Sequence, residues 1–165
     1  MLRVLMALVT MSVPLAAQDE MGITRGTVPE VVAIEDLDGN VVDLGRWVGQ
    51  GPVLFEFWAT WCSLCARLEP RLLELHRQYG ERVAFVAVAV GVNQTPRSIK
   101  RHLERHDLPW PTLWDGRGRA VRAFSAFTTS FVVVLDAEGR VVYTGSGADQ
   151  NLGPVLARVA SPASP

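Results

Sequence analysis

The sequence predicts an α/β fold: a central mixed sheet flanked by helices, entered through an N-terminal β-hairpin and carrying an inserted helix. Two observations carry this. Apolar, strand-like runs at Val53–Trp58 and at residues 83–90 bracket a segment with helical periodicity from Ser63 to Tyr79, which makes a right-handed βαβ crossover. Two further short strands, Phe131–Leu135 and residues 140–144, flank the turn Asp136-Ala137-Glu138-Gly139 and predict a second hairpin. A chain of 165 residues with 48% hydrophobic and 20% charged residues suits one such domain.

Residues 1–17 read as an export signal. Met1-Leu2-Arg3 is a short positive start, residues 4–13 are mostly apolar, and Leu15-Ala16-Ala17 supplies small residues before Gln18. The apolar run is shorter than the roughly 20 residues a helix needs to cross a bilayer. Left uncleaved, the same segment would act as a membrane anchor. No Cys follows it to accept a lipid. The expected location is therefore outside the cytoplasm, periplasmic or otherwise extracytoplasmic. Residues 18–28 are expected to form a flexible lead, 29–160 the domain, and 161–165 a frayed tail.

The elements follow in order. Val31-Val32-Ala33-Ile34 and Val41-Val42-Asp43-Leu44 flank Asp38-Gly39-Asn40, a hairpin with a glycine turn. Val53–Trp58 is a central strand interrupted by one acid, Glu56. Leu64, Leu68, Leu72, Leu75 and Tyr79 give the next helix one apolar face, and Gly80 stops it. Residues 83–90 are almost wholly apolar, as in a strand covered on both faces. Thr95 and Pro96 open a second helix to about His106, with Thr as cap and Pro in the first turn. Ile99 and Leu103 point inward on it, while Arg97, Lys100, Arg101 and Arg105 face solvent. A short inserted helix lies near 119–124. A last helix packs Leu152, Val155, Leu156 and Val159. With 16 Lys and Arg against 17 Asp and Glu, nothing suggests a nucleic-acid partner.

The chain has two cysteines, three residues apart, in Trp61-Cys62-Ser63-Leu64-Cys65. A structural staple there would close almost no loop and constrain the unfolded chain little. Redox cycling or metal binding explains the spacing better. Two thiolates alone do not complete a tetrahedral zinc shell, so no metal is expected on them. Cys62 falls at a helix N-terminus, where unpaired N–H groups and the helix dipole favour a thiolate. It is expected to be the exposed, acidic nucleophile. Cys65, one turn inward, is expected to be the buried resolving thiol.

The segment Phe57-Trp58-Ala59-Thr60-Trp61-Cys62-Ser63-Leu64-Cys65 resembles the active-site segment of the thioredoxin superfamily. Pro70 resembles the TlpA/ResA-type branch. So do Leu108-Pro109-Trp110-Pro111, Asp115-Gly116-Arg117-Gly118 and the run from Val134 through Asp136 and Gly139 to Val142. The resemblance spans about residues 29–159. It implies a thioredoxin-like fold and a thiol–disulfide oxidoreductase that works without a bound cofactor. Cys62 and Cys65 would be its redox-active disulfide. It further implies protein disulfide or dithiol substrates, a membrane thiol donor and a monomeric state. Reduction of exported proteins is the expected direction; a disulfide-forming oxidase and a non-catalytic thiol or metal-delivery module are the alternatives.

Glu56 is the acid in the strand leading to Cys62, where the resemblance places a buried carboxyl behind the cysteines. Buried there, it would serve as base for Cys65; on an exposed strand face it would have no such role. Relatives of this type often carry another Glu three residues after the second Cys. Here that position is Leu68, and Glu69 lies about 100° further round the helix. His102 and His106 have a chelating spacing. With no acidic or third His ligand evident nearby, they read as part of a solvated basic face. Trp61 borders Cys62 and is the expected surface contact. The family's cis-proline is missing, since no Pro occurs between Pro111 and Pro154. Its place falls on Phe127 or Ser130, and the loop Phe127-Thr128-Thr129-Ser130 is expected to lie beside Cys62, with trans peptides, and to bind substrate.

Overall fold

A computed structural model describes residues 22–161. Its elements are β1 Ala33–Asp36, β2 Val41–Asp43, a 3-10 turn Leu44–Arg46, β3 Val53–Trp58, α1 Ser63–Tyr79, β4 Ala84–Val90, α2 Pro96–Leu103, β5 Thr112–Asp115, α3 Arg119–Ala123, β6 Phe131–Leu135, β7 Val141–Ser146 and α4 Gly153–Val159. The strands form one mixed sheet in the order β2-β1-β5-β4-β3-β6-β7. β3 lies at its centre, parallel to β4 and antiparallel to β6.

The apolar runs take the buried places. Every residue of β3 and β6 is buried. On one face Phe55 and Phe57 meet Phe124, with ring centroids 5.0 and 5.5 Å apart, and Phe57 also meets Phe131 at 6.3 Å. Such buried rings are each worth about 3–5 kcal/mol. Strand alternation puts Leu54, Glu56 and Trp58 on the opposite face, where the Trp58 ring packs on His102 of α2 at 5.4 Å. α1 buries Cys65, Leu68, Leu72, Leu75 and Tyr79 along one stripe.

Several expectations are corrected. β1 begins at Ala33, not at Val31. Asp36 closes its hairpin, its carboxylate accepting from the N–H groups of Asp38 and Asn40 and from the Asn40 side chain at 2.8–2.9 Å. Leu64, expected on the apolar face of α1, is exposed in its first turn. α2 stops at Leu103 and residues 104–106 turn away, which puts His106 outside the helix. β5 was not foreseen; it exists because β4 and β1 pair with it on either side. The lead is docked where it is described: the Ile23 N–H donates to Phe124 O, and Gly26 and Thr27 pair with Val141. Burial of Ile23 holds it there. The export signal, the rest of the lead and residues 162–165 lie outside the described residues.

Candidate active site

β3 delivers the chain to the start of α1, and the cysteines sit at that junction. Cys62 is the N-cap of α1 in extended conformation, and its Sγ accepts the Cys65 N–H at 3.1 Å. Sulfur therefore occupies the position where helix ends stabilise anions. The two cysteines form a disulfide with Cα atoms 5.3 Å apart. Cys62 was expected to be exposed, yet in this oxidised form it is 7% exposed against 5% for Cys65. Both cysteines are buried in this disulfide form, so the difference between them is one of place rather than exposure. Cys62 caps the helix, and Cys65 lies within its first turn.

Behind the pair is a cavity of about 20 Å³, lined by Glu56, Trp58, Cys62, Cys65, Glu69 and His102 among others. That volume is large enough for about one water molecule. Glu56 is 6% exposed, so the exposed-face alternative is excluded. Burial, reinforced by the negative charge of Glu69, pushes its carboxyl up to about 8. Near neutral pH it is then mostly protonated and able to exchange its proton. The Trp58 indole N–H is buried with no hydrogen-bond partner among the described residues, and Trp58 lines the same cavity.

The rim around Cys62 is tied down by contacts that no local pattern announced. The Trp61 indole donates to Val92 O at 2.8 Å. Gln94 accepts the Thr60 N–H and donates to Val90 O, at 2.9 and 2.7 Å. Trp61 is nevertheless 50% exposed, and Leu64 and Val92 are exposed beside it in sequence and in this clamp. Phe131 pairs with Phe57 near the end of β3, so the loop before β6 leaves the sheet at the end from which the chain runs to Cys62. Phe127 there is 78% exposed and Thr128 is exposed, while Thr129 is half-buried.

Ser130 was expected to face substrate and does not. It is fully buried, with its hydroxyl donating to Gly147 O at 3.0 Å and its carbonyl accepting from Gln150 Nε2 at 3.0 Å. Its φ of 55° lies in the left-handed region that few non-glycine residues adopt. No cis peptide occurs among the described residues, as the missing proline led us to expect.

The basic-face reading of the histidines is also corrected. Glu69 reaches across from α1, its two oxygens 2.9 and 3.1 Å from His106 Nδ1. The His102 and His106 rings stack at 4.0 Å with planes 4° apart. Burial, then the neighbouring His106, lowers the His102 pKa, with Arg105 adding to this and Glu69 opposing it. All three residues are half-buried. The spacing of the two histidines was visible in the sequence, but the acid 37 positions from His106 was not.

The Redoxin family model matches residues 24–157. This chain belongs to the Redoxin family. Among relatives, this Redoxin chain is 27% identical over 109 residues to thiol-disulfide oxidoreductase ResA of Bacillus thuringiensis subsp. konkukian, covering 66% of this chain and 62% of that protein. It is 30% identical over 122 residues to ResA of Geobacillus kaustophilus, covering 73% and 68%. The Redoxin chain thus matches less than two thirds of the length of the first of these relatives. The TlpA/ResA-like resemblance holds. Its fold is shared with the thioredoxin domain of thiol-disulfide oxidoreductase BVU-2223 from Bacteroides vulgatus (TM-score 0.72, 20% identity, 84% of this chain and 99% of that one). It is shared too with the exposed lipoprotein thioredoxin Etrx1 of Streptococcus pneumoniae (TM-score 0.66, 22% identity, 78% and 99%). No helix among the described residues is long and apolar enough to cross a membrane.

Proposed function

We propose that this protein is an exported thiol–disulfide oxidoreductase that reduces disulfides of protein substrates. The observation that carries the reading is the disulfide at the first turn of α1, backed by a buried carboxyl. In the reduced protein the Cys62 thiolate attacks a substrate disulfide. A Cys62–substrate mixed disulfide forms, and one substrate sulfur leaves as a thiolate. In the ionised fraction of Glu56, a minority at neutral pH that grows as pH rises toward about 8, the carboxylate takes the proton of Cys65, which attacks Cys62 Sγ. This restores the Cys62–Cys65 bond and releases the second substrate sulfur, which takes up a proton. The substrate gains two electrons and the protein loses them. A dithiol donor at the membrane resets the pair.

The exposed Trp61, Leu64 and Val92, with Phe127 and Thr128 from the loop before β6, would seat an extended, partly apolar segment of the substrate. Thr129 at the edge of that loop would take part through its backbone. Export rests on residues 1–17, with cleavage before Gln18. The direction of transfer is tested by equilibrating the protein with defined thiol buffers. A reductase should show a potential near the about −270 mV of thioredoxin; a value near about −120 mV would make it an oxidase.

A further inference from the structure

Thiol exchange leaves the stacked histidines without a task. A single hydrogen-bonded contact between Glu69 and His106 would not need a second imidazole laid flat against the first. We propose that Glu69, His102 and His106 form a site for one divalent transition-metal ion of the zinc class, beside the cavity that backs the disulfide.

One potential ligand atom from each residue lies within 4.8 Å of the other two. Two imidazoles and one carboxylate are the donor set of open zinc sites, in which water takes the fourth position. Bonds of about 2.0–2.2 Å put ligand atoms somewhat over 3 Å from one another, a separation that His106 Nδ1 and the Glu69 carboxylate already have to within a few tenths of an ångström, so that His102 is the ligand that must close in. Rotation of His102 about its own side chain supplies that movement. The donors come from α1 and from the C-terminal turn of α2 and the residues just after it, and Glu69 and His102 line the cavity shared with Glu56 and Trp58. Half-burial leaves the site open to solvent while removing part of the water that competes for the ion. His102 is further held by the Trp58 ring at 5.4 Å. The cysteines are not ligands here, since they are tied to each other in the disulfide.

That last point makes the site testable apart from the thiol chemistry. The full chain, without an affinity tag, is kept oxidised, stripped with a chelator and titrated with Zn²⁺ at pH 7.5 against a chromophoric competitor. One equivalent should bind. His106→Ala and Glu69→Gln should each weaken binding at least about tenfold. In the unsubstituted protein, zinc should shift the imidazole NMR signals of His102 and His106 and leave those of His76 in place. Absence of stoichiometric binding to the oxidised chain would overturn the proposal. So would binding of equal strength in both variants, or a shift confined to His76.

Discussion

Glu56→Gln should remove a large part of the protein's loss of stability with rising pH. Folding carries this carboxyl from its ordinary value of 4.5 to about 8. Between those values the folded chain holds a proton that the unfolded chain releases. The contribution of the neutral acid is fully present below about pH 4.5 and is lost as pH rises through about 8. The slope is about 1.4 kcal/mol per pH unit, so the loss from pH 5 to pH 7 is on the order of 2–3 kcal/mol. Glutamine has nearly the same shape and does not titrate. The assay is urea unfolding of both oxidised proteins at pH 5, 6, 7 and 8 in the presence of a chelator. Subtracting the two profiles cancels the histidines, which titrate in both. The difference should move in favour of the variant by roughly 2–3 kcal/mol between pH 5 and 7, then level off above pH 8. Parallel profiles would refute the raised carboxyl and with it the role of Glu56 as proton acceptor for Cys65.

Restoring the family's proline as Ser130→Pro should destabilise by about 2 kcal/mol or more, because a φ of 55° is closed to proline and the buried hydroxyl bond is lost. Thermal unfolding measures this, and a variant as stable as the parent would mean the loop adopts another conformation. Trp61→Ala with Phe127→Ala should raise KM for a protein disulfide about tenfold while leaving reaction with a small disulfide within about twofold. Equal effects on both substrates would place these side chains in holding the site rather than in docking. Exported protein should begin at Gln18 on N-terminal sequencing, and an intact Met1 in the membrane fraction would show an anchor instead.

The parts legible in the sequence are those in which a residue's neighbours along the chain decide its conformation. The extent of α1 follows from one apolar stripe and Gly80; β6 follows from an unbroken apolar run, and β3 from one interrupted only by Glu56. β5 was invisible because four residues between Pro111 and Gly116 carry no period of their own and are ordered by β4 and β1. The cysteines and Glu56 could be read from a motif and from one acid in an apolar strand. Contacts between distant segments could not. Gln94 stands 34 residues from Thr60, and Glu69 stands 37 from His106. Ser130 was misread because its position in the loop suggested a surface, whereas Gly147 and Gln150 fold over it.

The central claim is that Cys62 attacks and Cys65 resolves. Reduced Cys65→Ser and Cys62→Ser proteins are mixed with a disulfide-bonded protein substrate, quenched with acid and analysed by intact mass and peptide mapping. The account predicts that Cys65→Ser accumulates a mixed disulfide on Cys62 while Cys62→Ser remains largely free. Accumulation on Cys65 in the Cys62→Ser protein, with none on Cys62 in the other, would contradict it.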